Sequence, residues 1–290
     1  MKQTLILAFM WFLKIVSQLP LRALYRLADV LFFVSFYLVR YRRKVVQQNL
    51  RNSFPQKPPA ELARIEKAFF KNLADYAVET LKLLSIEKED LQKRMVFANP
   101  EILLTYQQQK QPVLLLASHQ FNWEWLLAAG SFALGIPIDF VYQSQRSKLF
   151  NQFALLCRTR FGAFAISREN VPREAIRRRS LVRATAIVAD QSPGNHSSKR
   201  YWTTFMGQRT AFYHGISQLI VFSKSPVFFA AVKKVKRGYY RVELIPLASP
   251  PFDRETSDQV IDLYVKKTEE VIGAQPEGWL WSHKRWKQLD

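Results

Sequence analysis

The sequence predicts an α/β fold, a mixed central sheet flanked by helices, preceded by an N-terminal hydrophobic helical region. Three observations predict it. From about residue 112, short apolar runs alternate with segments of helical periodicity. The first of those runs, residues 113–117, contains no polar side chain, as a strand buried on both faces requires. The first forty residues hold two apolar blocks of a quite different character. With 290 residues and 48% hydrophobic content, the chain can bury one sizeable core.

Taken in order, residues 4–13 are almost wholly apolar, interrupted by Lys14 and closed by Pro20. Residues 30–39 form the second block and run into Arg40-Tyr41-Arg42-Arg43-Lys44. Neither block reaches the ~20 residues that span a bilayer comfortably. Lys2 and the first block fit a signal peptide, but no small-x-small cleavage site follows at Val16-Ser17-Gln18-Leu19-Pro20. An uncleaved membrane anchor is therefore expected, either spanning with Lys14 snorkelling or lying in the interface beside the second block. The basic cluster suits the cytoplasmic leaflet, and equally suits a solvated helix end. The expected division is residues 1–45 for the anchor and 46–290 for the α/β domain.

Pro55, Pro58 and Pro59 mark a turn before an amphipathic helix over 60–85, where Leu62, Ile65, Phe69, Leu73 and Tyr76 recur at helical spacing. Strands are then expected at 113–117, 136–142, 163–166, 184–189, 227–232 and 239–245. Helices are expected at 123–134, 149–161, 173–182, 212–223 and 258–272. No internal repeat or low-complexity segment interrupts the pattern.

The net charge of +20 calls for an anionic partner: nucleic acid, an acidic protein or anionic lipid. Cys157 is the single cysteine, so no intrachain disulfide exists, and its place in a helical pattern suits a small buried residue. No Gly-x-Ser-x-Gly elbow, phosphate loop or Gly-x-Gly-x-x-Gly fingerprint occurs. The four histidines (119, 196, 214 and 283) and one cysteine offer no metal-ligand spacing.

Chemistry concentrates at Ser118-His119-Gln120-Phe121-Asn122-Trp123-Glu124, where an imidazole closes the apolar strand and a carboxylate follows five residues on. On one continuous helix those two side chains would point ~140° apart. They can cooperate only if His119 lies in the strand-to-helix turn, Asn122 caps the helix and Glu124 occupies its first turn. The helix dipole there favours a charged carboxylate and a neutral imidazole, the resting state of a general base. The same spacing also fits a surface histidine beside an ordinary first-turn glutamate. Asp190 and Gln191 end another apolar strand and should share the sheet edge with His119, where ligands of open α/β sheets gather. A turn-forming role would equally explain Asp190. Arg158 and Arg160 close a helix before Gly162. They read either as dipole partners or as a clamp for an anion. The tail, residues 279–287, interleaves tryptophans with cations and suits either packing on the sheet or contact with lipid head groups or bases.

Taken together, these motifs resemble the bacterial lipid A biosynthesis acyltransferases, within the wider lysophospholipid acyltransferase superfamily. The resemblance runs from residues 19–27 through Gln48-Asn49-Leu50-Arg51 and Phe54-Pro55. It continues through His119 with Glu124, Arg158-x-x-Phe161-Gly162, Ala189-Asp190-Gln191 and Phe205-Met206-Gly207, and ends on Trp281-Ser282-His283-Lys284-Arg285-Trp286-Lys287. It implies an enzyme, without cofactor or metal, on the cytoplasmic face of the bacterial inner membrane. Such an enzyme moves an acyl chain from an acyl carrier protein thioester (or acyl-CoA) to a hydroxyl of a lipid A precursor, in lipopolysaccharide biosynthesis, and has no nucleic acid partner. His119 would be the base and Glu124 its orienter, with Arg158, Asp190, Arg160 and Gln191 binding substrate. One departure is Phe212-Tyr213-His214-Gly215, where relatives carry smaller residues and threonines, a region that would shape substrate choice. Another membrane lipid as acceptor is the alternative enzyme reading, and a non-catalytic basic membrane-surface protein is the alternative outside enzymes.

Overall fold

The computed structural model of the chain describes residues 2–178, 180–193 and 199–286. His196 and Lys287, named above, lie outside the described residues. The chain begins with α1 (Lys2–Ser17), α2 (Leu21–Phe33), α3 (Arg43–Ser53), α4 (Pro59–Lys82) and α5 (Lys88–Arg94). The α/β part runs β1 (Met95–Phe97), α6 (Leu104–Gln108), β2 (Val113–Ala117), α7 (Trp123–Ala133), β3 (Ile138–Tyr142), α8 (Lys148–Thr159), β4 (Phe164–Ser167), α9 (Val171–Arg177) and β5 (Ala184–Val188). It ends with the hairpin β6 (Arg200–Phe205) and β7 (Gln208–Tyr213), α10 (Gly215–Ser223), β8 (Val227–Lys236), β9 (Tyr239–Ala248) and α11 (Arg254–Ala274).

Among the described residues, seven strands form one mixed sheet in the order β1-β9-β8-β2-β5-β3-β4. Neighbours run parallel except β8 and β9, which form an antiparallel hairpin. The all-apolar sequence of β2 follows from this position, since a central strand shows both faces to packed helices. Leu115 and Ala117 face a cluster with Trp125, Ala128 and Ala129 of α7 and with Leu21, Leu24 and Ala28 of α2. Leu114 and Leu116 face a second cluster with Ile216 and Ile220 of α10, Tyr264 and Val265 of α11, and Trp279 and Trp281 of the tail.

The N-terminal helices differ from this core in what they leave uncovered. Pro20, which lacks an N–H, separates α1 from α2, and the two apolar segments meet at 115°. Among the described residues, no single helix is long and apolar enough to cross a membrane, whereas this bent pair passes that test together. One face of α2 joins the core through Leu21, Leu24 and Ala28. Leu7, Trp11, Phe12, Val30, Phe33 and Leu38 stay exposed.

Most expected elements are present, with four differences. The stretch expected as a helix over 212–223 begins as β7 and becomes helical only at Gly215. Its partner β6 was not expected; Met206 and Gly207, both at positive φ, make the tight turn between them. The helix expected over 173–182 is the shorter α9. The three-residue β1 carries too few side chains for a period to show.

Candidate active site

The strand-to-helix turn after β2 is built as the spacing demands. Asn122 caps α7 by accepting from the Trp125 N–H at 2.9 Å, and Glu124 sits in the first helical turn. His119 therefore lies in the turn, at the carboxyl edge of the sheet. Phe121 takes a left-handed backbone, φ +50°, unusual for a residue with a bulky side chain. The tail holds it there. Phe121 N–H donates to the Gly278 carbonyl at 2.7 Å, and Leu280 N–H donates to the His119 carbonyl at 3.0 Å. A Cβ at Gly278 would fall 2.5 Å from the Phe121 ring, so only glycine admits this closure.

The partner of His119 is Asp190, not Glu124. Ala189 N–H pairs with the Ala117 carbonyl, which brings the ends of β5 and β2 together. His119 Nδ1 then lies 2.6 Å from Asp190 Oδ1, and the His119 backbone N–H donates to Asp190 Oδ2 at 2.9 Å. Trp279 Nε1 donates to the same Oδ2 at 2.6 Å. Burial alone would raise the Asp190 carboxyl; the neighbouring imidazole and the bonds from His119 and Trp279 outweigh it and hold the group below its usual value. An ionised Asp190 assigns the His119 proton to Nδ1 and leaves Nε2 with a lone pair. Gln191 Nε2 stands 3.1 Å from His119 Nε2.

Glu124 serves a different partner. Arg158, at the end of α8, grips it with two bonds, Nε to Oε2 at 2.7 Å and Nη2 to Oε1 at 2.6 Å. Trp123 Nε1 also donates to Oε1, at 3.1 Å, and Tyr76 Oη at 3.4 Å. Glu124, expected to orient the imidazole, bonds Arg158, Trp123 and Tyr76 instead. With His119 in the turn, the carboxylate that reaches its ring comes from the adjacent strand rather than from the next helical turn. Trp123 bridges the two groups, edge-on to the His119 ring at 4.9 Å and stacked on Tyr76 at 4.2 Å.

Arg160, expected to bind substrate, points elsewhere. Its Nη1 donates to the Leu83 and Ile86 carbonyls beyond α4, capping orphan acceptors at the helix end. Cys157 is buried as expected, and burial pushes its thiol up to about 12. The tail tryptophans pack rather than project: Trp279 and Trp281 are fully buried. Two polar tail groups accompany them, Arg285 buried and His283 half-buried. Burial lowers His283 to about 4 and Arg285 to about 10, the latter over the Phe212 ring at 4.4 Å.

Sequence reasoning missed Tyr76, Trp123 and Trp279 as parts of the site. The tail's tryptophans were visible, but nothing local to them points to Asp190. It also missed the space before them. His119, Glu124, Arg158 and Gln191 line one cavity of about 1260 Å³, walled mostly by apolar side chains. An imidazole hydrogen-bonded to a buried carboxylate, at the rim of a deep and mostly apolar cavity, is the arrangement of an enzyme site with room for a hydrocarbon chain.

The comparisons narrow that class. Residues 1–288 match the family described as bacterial lipid A biosynthesis acyltransferase, and the chain belongs to that family. It is similar to the lipid A biosynthesis lauroyltransferase of Escherichia coli (strain K12), with 25% identity over 278 residues, 94% of this chain and 88% of that protein. The protein is an acyltransferase of lipid A biosynthesis.

Proposed function

We propose that this enzyme transfers a fatty acyl group from an acyl carrier protein thioester to a hydroxyl of a lipid A precursor by direct attack, with His119 as general base. The observation that carries this reading is the His119–Asp190 pair at the rim of the 1260 Å³ apolar cavity. The acceptor hydroxyl takes the position of Gln191 at Nε2, gives up its proton to His119, and its oxygen attacks the thioester carbonyl. Asp190 keeps the imidazole in the reactive tautomer and balances the imidazolium that forms, worth several kcal/mol by analogy with carboxylates in triads. The imidazolium then returns the proton to the departing thiolate, and no covalent enzyme intermediate is needed.

Glu124 and Arg158 act on the other side of the reacting carbon. Of the five guanidinium N–H groups, two bind Glu124. The remaining ones are available to a developing oxyanion or to a phosphate. Glu124 thereby positions Arg158 rather than His119. The buried Nδ1–Asp190 contact and the separate bidentate pair both support this division of labour.

The N-terminal segment, residues 1–45, attaches residues 46–290 to the cytoplasmic face of the inner membrane. The exposed apolar face of the bent helix pair and the adjoining cations support attachment. The net charge of +20 suits both an acidic carrier protein and the phosphates of the acceptor. Mass spectrometry of lipid A from cells with and without the chain tests the reading, together with purified transfer assays using carrier-protein and CoA thioesters. Loss of one acyl chain from lipid A without the protein is expected, restored by the parent and not by His119→Ala. Transfer to another lipid in place of the lipid A precursor, or a fully active His119→Ala, contradicts it.

A further inference from the structure

The cavity beneath His119 is larger than the ~300–1,000 Å³ of ordinary small-molecule sites, and its walls come from both faces of the sheet. Successive strand residues point to opposite faces. On β5, Ala186 and Val188 pack with the α7 cluster and Ile187 with the α10 cluster, yet all three line the same cavity. A cavity cannot cross a hydrogen-bonded sheet, and here it does not need to. β5 pairs with β2 out to Val188, but with β3 only as far as Phe140 opposite Ala186. Beyond that rung the two strands fork. Val141 and Tyr142 on one arm and Ile187 and Val188 on the other all line the cavity, half-exposed although their strands are internal.

Two apolar lobes therefore meet at the fork, beside His119. The first lies between the sheet and α7, walled by Leu115, Leu126, Gly130, Leu134, Ile138 and Ala186. It is closed: Leu134 and Ile138 are each 2% exposed. The second lies against α9 and α10, walled by Val171, Ala175, Ile187, Ile216, Leu219 and Phe222. It opens outward, with Phe222 48% exposed and its neighbour Ile176 57%.

We infer that the cavity is two hydrocarbon sites joined at His119, the closed lobe holding the donor's acyl chain and the open lobe holding an acyl chain of the acceptor lipid. This rests on the acyl-transfer reading above. A donor presents one chain that must be wholly withdrawn from water, which a closed lobe provides. An acceptor with several chains commits one and keeps the rest in the bilayer, which only an open lobe permits. The fork is where the two chains can place a thioester carbon and a hydroxyl within reach of one imidazole.

Photolabelling of the full-length enzyme in detergent tests this with two probes: an acyl thioester carrying a diazirine at its chain end, and a lipid A precursor carrying one in an acyl chain. Peptide mass spectrometry should find the donor label on β2 and α7, and the acceptor label on α9 and α10. Both labels in one lobe, or no acceptor label on α9 or α10, overturns the inference. The expected labelling without any transfer by the parent enzyme leaves the two sites standing and contradicts the acyl-transfer reading alone. Kinetics give a second readout. Ala175→Trp should raise the acceptor KM about tenfold or more while the order of preference among donor chain lengths is kept. Gly130→Leu, whose Cβ would already meet Ile138 Cδ1 at 3.2 Å, should move that preference toward shorter donors. A shift of donor preference by Ala175→Trp overturns the inference.

Discussion

Two buried carboxylates stand at the same sheet edge and are held in opposite ways. Asp190 lies on the strand side, fixed by His119 and Trp279, and its charge faces a group that can gain or lose a proton. Glu124 lies on the helix side, bound bidentately to Arg158, whose charge is permanent. The first pair can pass a proton and the second can only present a field. Sequence order suggests the reverse pairing, because Glu124 is five residues from His119 whereas Asp190 is 71 away. Spatial order is set by β2 and β5 lying side by side.

The contrast can be broken most severely from the strand side. Asp190→Asn presents an amide where Nδ1–H donates, so the tautomer is no longer enforced, and a loss of roughly 10³–10⁴ in kcat is expected. Steady-state transfer assays on folded protein check it. A loss under tenfold would show that Asp190 is a turn residue.

The strand side is also the acid-sensitive side, because the tail that holds Asp190 buries His283 with a pKa of about 4 against an ordinary 6.5. The folded state therefore binds fewer protons than the unfolded state between those values. Stability is intact above pH 6.5 and falls as pH drops toward 4, by up to roughly 3 kcal/mol. Denaturant titrations of the parent and of His283→Asn check this, the variant losing that part of the pH slope.

On the helix side, Glu124→Gln removes the charge that fixes Arg158 and leaves a largely buried guanidinium half-satisfied. We expect about a 10²-fold loss in kcat with a stability cost of about 2–3 kcal/mol. The double variant Glu124→Gln/Arg158→Gln should recover part of that stability and none of the activity. Thermal melts and rate measurements on the three proteins separate the outcomes.

The smallest expected effect isolates one hydrogen bond. Trp279→Phe keeps the ring packed and deletes only the N–H to Asp190, so a smaller loss in rate is expected than from either carboxylate variant. With more charge left on Asp190 to support the imidazolium, the acid limb of the kcat/KM profile should move to higher pH. A lowered melting temperature with an unmoved limb would make Trp279 merely a packing residue.

What sequence made legible was local. The apolar run of β2, the Asn122 cap and the first-turn glutamate are decided within ten residues, and each stands where its chemistry requires. The shared edge of His119 and Asp190 was also legible, because both follow apolar strands. Their hydrogen bond was not, since it depends on which strands neighbour each other. Arg160 misled for the same reason: its position before a glycine stop suited an anion clamp, whereas the carbonyls it bonds belong to the turn after α4, 74–77 residues earlier. The β7 strand was hidden because Phe212 and Tyr213 continue the apolar character of α10. The fork between β5 and β3 leaves no trace in either strand's composition.

The pH dependence of kcat/KM for acyl transfer, compared between Asp190→Asn and Glu124→Gln, tests the central claim most directly. If Asp190 is the carboxylate that serves the base, its neutralisation moves the acid limb to lower pH, while Glu124→Gln lowers the plateau and leaves the limb in place. A limb that moves in Glu124→Gln and stays fixed in Asp190→Asn would return the base's support to Glu124 and contradict the account.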